Sequence, residues 1–263
     1  MEVTTTYLEL SDDGTAAPCP DPRVACPPER IPLVVVRPTE PGPFPAAILL
    51  HGGGQSGADW LEYATSLAAR GVIVALPDAR EHGRRLVVNP DPEGYLPVLE
   101  VLAQFLGGVA DVRLVTDYLR AIEGCDGRVA LQGFSLGGHI GLLAAGSDDR
   151  LDPVCLVGTS FAPTSADAGD YPSSKPDPAT LARMVEATSV TGAYAELAQR
   201  RLLLVCGRDD PFVDAAVTSD AVAAVLQHGG DGMIDELVFA GEHEPPPWVQ
   251  AAIAEWLLAR LGS

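Results

Sequence analysis

Five residues, Gly133-Phe134-Ser135-Leu136-Gly137, stand between the apolar run Arg128–Gln132 and a second run, Leu136–Ala145, with helical character. A serine on a tight strand-to-helix turn has an exposed hydroxyl on a strained backbone. Glycines two positions before and two after it leave room for that turn. The helix behind it aims amide dipoles at the reacting oxygen. This is the setting of an activated nucleophile, and the plainer alternative is a glycine-rich packing turn. A second group, His51-Gly52-Gly53-Gly54, directly follows the run Ala46–Leu50. Glycines there let the chain approach a substrate and present bare N–H groups. Acyl transfer needs two such donors for its tetrahedral oxyanion, and one of them is worth ~2.7–4 kcal/mol. The Leu136 amide is one candidate and Gly53 the other, with Gly54 the neighbouring option. His51 reads as a structural residue holding this loop.

A serine nucleophile needs a base, and the base needs an orienting carboxylate. The histidines are His51, His82, His139, His228 and His243. His139 lies in the predicted helix after the serine and His228 at the end of another, and both read as packing or capping residues. His243 sits in a loop after the last predicted strand, a position from which an imidazole can reach the site. The segment Gly207-Arg208-Asp209-Asp210-Pro211-Phe212-Val213 ends another strand, and both Asp209 and Asp210 are candidates for the carboxylate.

The elements that must position these groups follow from periodicity. Strands are expected at Val3–Leu10, Ile31–Arg37, Ala46–Leu50, Val72–Leu76, Arg128–Gln132, Pro153–Val157, Arg201–Cys206 and Met233–Phe239. Helices are expected at Asp59–Arg70, Val109–Glu123, Leu136–Ala145, Ala215–Gln227 and Pro247–Leu261. Short apolar strands alternating with amphipathic helices mean βαβ units and a mainly parallel sheet. The first two strands predict an antiparallel edge. Two segments break the rhythm, 89–108, with a helix-like run at Tyr95–Leu106, and 159–200, rich in proline. Both follow strands and read as cap-like insertions over a pocket of a single domain, 1–263.

The chain resembles the α/β-hydrolase superfamily, and within it the dienelactone-hydrolase-like group of small esterases. The resemblance rests on HGGG at 51–54, GFSLG at 133–137, GRDDPFV at 207–213 and GEH at 241–243. It implies an α/β fold with a mostly parallel eight-stranded sheet flanked by helices on both faces. It implies a catalytic set of Ser135, Asp210 and His243, and so selects Asp210 over Asp209. It also implies no cofactor, no metal and ester-type hydrolysis. Dienelactone hydrolases proper use a cysteine nucleophile, and this chain has Ser135. The expected activity is therefore a serine hydrolase of a carboxylic ester, lactone or thioester. The alternatives are an acyltransferase or lyase on the same site, or a non-catalytic small-molecule-binding protein with a hydrolase fold.

Composition narrows the partners. The chain holds 17 Lys+Arg against 36 Asp+Glu, a formal net charge of −19. That field repels nucleic acid and anionic membranes and suits a small-molecule substrate. Within it Arg80, Arg84 and Arg85 cluster after a strand. They are candidates for holding a substrate carboxylate, although surface arginines more often pair with local carboxylates such as Asp78 and Glu81. The five cysteines, Cys19, Cys26, Cys125, Cys155 and Cys206, form no C-x-x-C pair, which fits reduced thiols in the cytoplasm. Cys155 and Cys206 fall in apolar strand-like runs and read as core residues. The start of the chain has no apolar signal-like stretch, and no run reaches the ~18 apolar residues of a membrane span. A homodimer is one option for its assembly.

Overall fold

Ala46, Ile48 and Leu50 pack into one hydrophobic cluster, and Ala47 and Leu49 into a second. Alternate side chains of a strand point to opposite faces, so this unbroken apolar run belongs to a strand buried on both sides. In the computed structural model, which describes residues 1–10, 16–18, 30–85, 98–159, 190–229 and 233–262, that strand lies at the centre of a nine-stranded sheet. The strands are β1 (Glu2–Leu10), β2 (Ala16–Pro18), β3 (Arg30–Arg37), β4 (Phe44–Leu50) and β5 (Ile73–Pro77). They continue with β6 (Cys125–Phe134), β7 (Leu151–Val157), β8 (Leu202–Gly207) and β9 (Ile234–Phe239). The eight expected strands are present, and the three-residue β2 adds a ninth at the edge.

The order across the sheet is β2-β1-β3-β5-β4-β6-β7-β8-β9. The pairings β1–β2, β1–β3 and β3–β5 are antiparallel, and those from β5 through β9 are parallel. From β4 the chain moves outward to β5, then crosses back to place β6 on the other side of β4. Such a reversal opens a crevice at the carboxyl ends of the two diverging strands. Here those ends are Leu50 and Gly133, which pair directly. The loop His51–Gly54 and the turn at Ser135 therefore emerge side by side.

Helices cover both faces. One cluster packs the sheet against α2 (Val98–Ala121), α3 (Leu136–Ala145), α4 (Tyr194–Leu197) and α5 (Ala215–Leu226). The other packs it against α1 (Leu61–Ala68) and α6 (Pro247–Leu261). Fully shielded side chains such as Ile48, Leu131 and Leu142 each contribute roughly 1.5–3 kcal/mol.

One expected boundary is corrected. The helical runs Tyr95–Leu106 and Val109–Glu123 do not form two helices, because the 24 residues of α2 pass straight through Gly107 and Gly108. Close packing explains these glycines. A Cβ on Gly107 would lie 2.4 Å from the Arg80 guanidinium carbon, and one on Gly108 would lie 2.8 Å from Ile140 Cδ1. Residues 98–108 thus belong to the flanking layer. Residues 89–97 and 160–189 of the expected insertions lie outside the described residues, as do Cys19 and Cys26. Cys155 and Cys206 are buried in β7 and β8, and burial pushes the Cys155 thiol up. Among the described residues no helix is long and apolar enough to cross a membrane.

Candidate active site

Ser135 caps α3 with φ 51° and ψ −113°. That region is unfavourable for a residue with a Cβ, by about 1–3 kcal/mol, and persists only where the surroundings impose it. Two backbone bonds impose it here. The Ser135 amide donates to Val157 O at 2.8 Å, and the Gly137 amide donates to His51 O at 3.1 Å. The flanking glycines are required by contact. A Cβ on Gly133 would meet Gly137 O at 2.3 Å, and one on Gly137 would meet Leu50 O at 2.4 Å.

The loops after β8 and β9 bring the remaining groups. His243 Nε2 lies 2.8 Å from Ser135 Oγ, and His243 Nδ1 lies 2.7 Å from Asp210 Oδ2. A carboxylate only accepts, so in the neutral imidazole Nδ1 carries the proton and Nε2 accepts from the serine hydroxyl. The Asp210 side chain has 0% exposure, and that of His243 has 17%. Asp210 Oδ1 is fixed in turn by the amides of Phe212 and Val213, at 2.8 and 3.0 Å. The rings of Phe134 and Phe212 stand 5.1 and 5.0 Å from the imidazole on tilted and edge-on planes. Asp209 is exposed, and its amide bonds to Gly241 O at 2.9 Å.

That last bond ties the two loops together, and Gly207 sets how closely they approach. A Cβ at this position would lie 2.0 Å from Glu242 O and 2.5 Å from Gly241 O. Gly207→Ala is expected to cost about 1–3 kcal/mol by overpacking and to push the His243 loop outward. The check is a melting curve beside a turnover assay. Unchanged turnover in a destabilised variant would show that His243 does not depend on this contact.

On the opposite side, His51 joins two loops. The Ala79 amide donates to His51 Nε2 at 3.0 Å, which leaves the proton on Nδ1 to donate to Gly52 O at 2.8 Å. Gln55 Oε1 accepts from the Gly52 amide at 2.9 Å and from Trp60 Nε1 at 3.1 Å. A Cβ on Gly53 or Gly54 would meet nothing within 4 Å, so the tip of this loop faces open space. The Leu136 amide is the first of α3, a position without an intrahelical partner.

Burial pushes the His51 pKa below its ordinary 6.5, an effect larger than the Gly52 bond that opposes it. The folded protein therefore resists a proton that the unfolded chain accepts. Stability is full above pH 6.5 and is lost as the pH falls below it, at no more than about 1.4 kcal/mol per pH unit for one proton. Urea unfolding between pH 7.5 and 5.5 tests this. The stability advantage of the wild type over His51→Asn should shrink toward acid, and a constant difference would refute the assignment.

The three arginines are held locally. Arg80 reaches both oxygens of Asp111, at 3.2 and 2.9 Å, and the buried Arg85 bonds Asp111 Oδ2 at 2.5 Å. The Arg84 amide donates to Asp78 Oδ2 at 3.0 Å, and Asp78 Oδ1 accepts from the Gly57 amide. Asp78 is one of the carboxylates expected as a partner and lies 4.0 Å from Arg84 Nε, whereas Asp111, which holds Arg80 and Arg85, is not among those expected. His139 is buried against Phe105, and His228 is exposed beyond α5.

The sequence reading passed over Gln55, Phe134, Phe212 and Asp111. Phe134 was open to recognition as the residue before the serine. Asp111 had no local signal, since it lies 31 residues from Arg80. A groove of about 540 Å³ opens beside the site between α1 and α6, walled by Gln55, Trp60, Tyr63, Phe134 and Glu244.

The fold agrees with the comparisons to known proteins. The chain is similar over its full length to TT1662 from Thermus thermophilus, with 23% identity, TM-score 0.77 and 100% of each chain covered. It is also similar to a cold-adapted esterase from an Arctic intertidal metagenomic library, with 18% identity, TM-score 0.67 and 98% and 94% covered. A dienelactone-hydrolase-like protein of Klebsiella pneumoniae gives 15% identity and TM-score 0.64, with 100% of each chain covered. At these identities the likeness is one of fold. The search of curated proteins found no match. The family model described as alpha/beta hydrolase family matches residues 47–262, most of the chain, and the protein belongs to that family.

Proposed function

We propose that the protein is a serine hydrolase that cleaves a small carboxylic ester, lactone or thioester through an acyl-enzyme. The observation that carries this reading is the hydrogen-bonded line from Ser135 Oγ through His243 to the shielded Asp210. Ser135 Oγ attacks the carbonyl carbon and His243 Nε2 takes its proton. Asp210 holds the imidazole tautomer and stabilises the imidazolium that forms. The Leu136 and Gly53 amides receive the negative charge that develops on the carbonyl oxygen. As the tetrahedral species collapses, His243 returns the proton to the departing alcohol or thiol. Water then repeats the sequence on the acyl-enzyme and frees Ser135. The groove, walled by Trp60, Tyr63 and Phe134 and also by the charged Glu62, Arg70 and Glu255, has room for part of the substrate.

The test is intact mass after treatment with a fluorophosphonate, followed by peptide mapping and a panel of esters, lactones and thioesters. A single adduct on Ser135 with turnover of one of these classes is the expected result. Folded protein that takes no adduct would overturn the reading and leave a binding role for the fold.

A further inference from the structure

Arg200 closes the turn between α4 and β8 and is 7% exposed. Its Nε is shielded from solvent and has no hydrogen-bond partner among the described residues. A shielded guanidinium donor without a partner is unfavourable, so what faces this side chain matters. Arg200 lines an open polar hollow of about 510 Å³ together with Arg113, Gly146, Ser147, Asp148 and Arg150.

The neighbouring acceptors are already engaged. Asp148 is held by Arg150, whose Nε and Nη2 reach its two oxygens at 2.7 and 2.6 Å, while Arg150 Nη1 turns to Asp117. The carbonyls at the end of α3 are also taken. Leu142 O accepts from the Gly146 amide, Leu143 O from the Ser147 hydroxyl, and Ala144 O from the Ser147 amide. In the turn after α4, Tyr194 O, Glu196 O and Leu197 O accept from the amides of Ala198, Gln199 and Arg200. Asp149 and Glu196 on the rim are exposed, where water and salt damp their field far more than that of the shielded Arg200. The hollow lies at the amino ends of β7 and β8, whereas Ser135 follows the carboxyl end of β6.

We propose that this hollow is a second binding site, for the oxyanion of a small phosphate- or carboxylate-bearing molecule, with Arg200 as its buried anchor and Arg113 as its outer contact. Guanidinium groups match both oxyanions through paired N–H donors. The volume exceeds that of a bare ion, so the rest of such a molecule fits within it.

Calorimetry and thermal melts on the full chain test this, with inorganic phosphate and succinate as probes and sodium chloride at matched ionic strength as control. Wild type should bind one or both probes saturably, and which one binds assigns the oxyanion. R200M should bind about tenfold more weakly or worse. Without anion it should melt no lower than wild type, because it removes a shielded donor that has no partner among the described residues. R113Q, at an exposed position, should weaken binding severalfold. Both variants should keep fluorophosphonate labelling of Ser135, which separates this site from the proposed chemistry. Equal responses to phosphate, succinate and chloride would overturn the proposal, as would wild-type affinity in both variants. Should R200M not fold, unchanged affinity in R113Q would overturn it alone.

Discussion

Ser135→Ala is expected to lower kcat by about 10⁶ on any ester the wild type turns over, because in the proposed mechanism nucleophile, base and carboxylate act as one unit. The structure gives the reason for so large an effect. Ser135 Oγ lies 2.8 Å from His243 Nε2, on a turn with φ 51° that nothing but the packing around it sustains. Alanine removes the hydroxyl and keeps the Cβ, the backbone and the Ser135 amide bond to Val157 O. The variant should therefore fold, melt near the wild type and bind substrate. Circular dichroism and steady-state kinetics on one preparation are the check. A folded variant that retains esterase turnover would place the nucleophile elsewhere.

Asp210→Asn is expected to lower kcat by about 10⁴, while Asp209→Asn leaves it nearly unchanged. The two residues are adjacent in sequence and differ in what they touch. Asp210 is shielded, its Oδ2 accepts from His243 Nδ1, and its Oδ1 accepts from two amides. An asparagine in this place offers an NH₂ group to Nδ1. The imidazole then moves its proton to Nε2, which faces the serine hydroxyl as a donor and cannot take its proton. Asp209 is exposed, and the contact that ties it to the His243 loop is its amide, which asparagine keeps. Turnover of both variants under saturating substrate decides the matter. The reverse ranking would mean that Asp209 orients the base.

Local chemistry in the sequence was enough for most of the elements and for the strand-to-helix turn at Ser135. Helices α3 and α6 run over Leu136–Ala145 and Pro247–Leu261, the spans their periodicity predicts. The apolar run Ala46–Leu50 lies within β4, because a strand covered on both faces has no polar alternation to show. Gly133 was legible because its contact, Gly137 O, lies within the same turn, whereas Gly137 meets Leu50 O on a neighbouring strand. His51 was legible as a loop anchor for a similar reason, though its partner Ala79 was not. The choice between Asp209 and Asp210 was not in the spacing at all and came from a resemblance.

Tertiary structure decided the rest. Ser135 and His243 are 108 positions apart, and Asp210 and His243 are 33 apart. Only the strand order brings their loops to one end of the sheet. The same order, with β5 outside β4 and β6 inside, sets the His51–Gly54 loop against Ser135. The pairing of Arg80 and Arg85 with Asp111, and the single course of α2 through Gly107 and Gly108, likewise arise from contacts between elements. Periodicity and turn chemistry act over a few residues, through hydrogen bonds that close within one turn or one strand. Which strands become neighbours depends on how all the apolar faces are buried at once, and that sum is settled only in the folded chain.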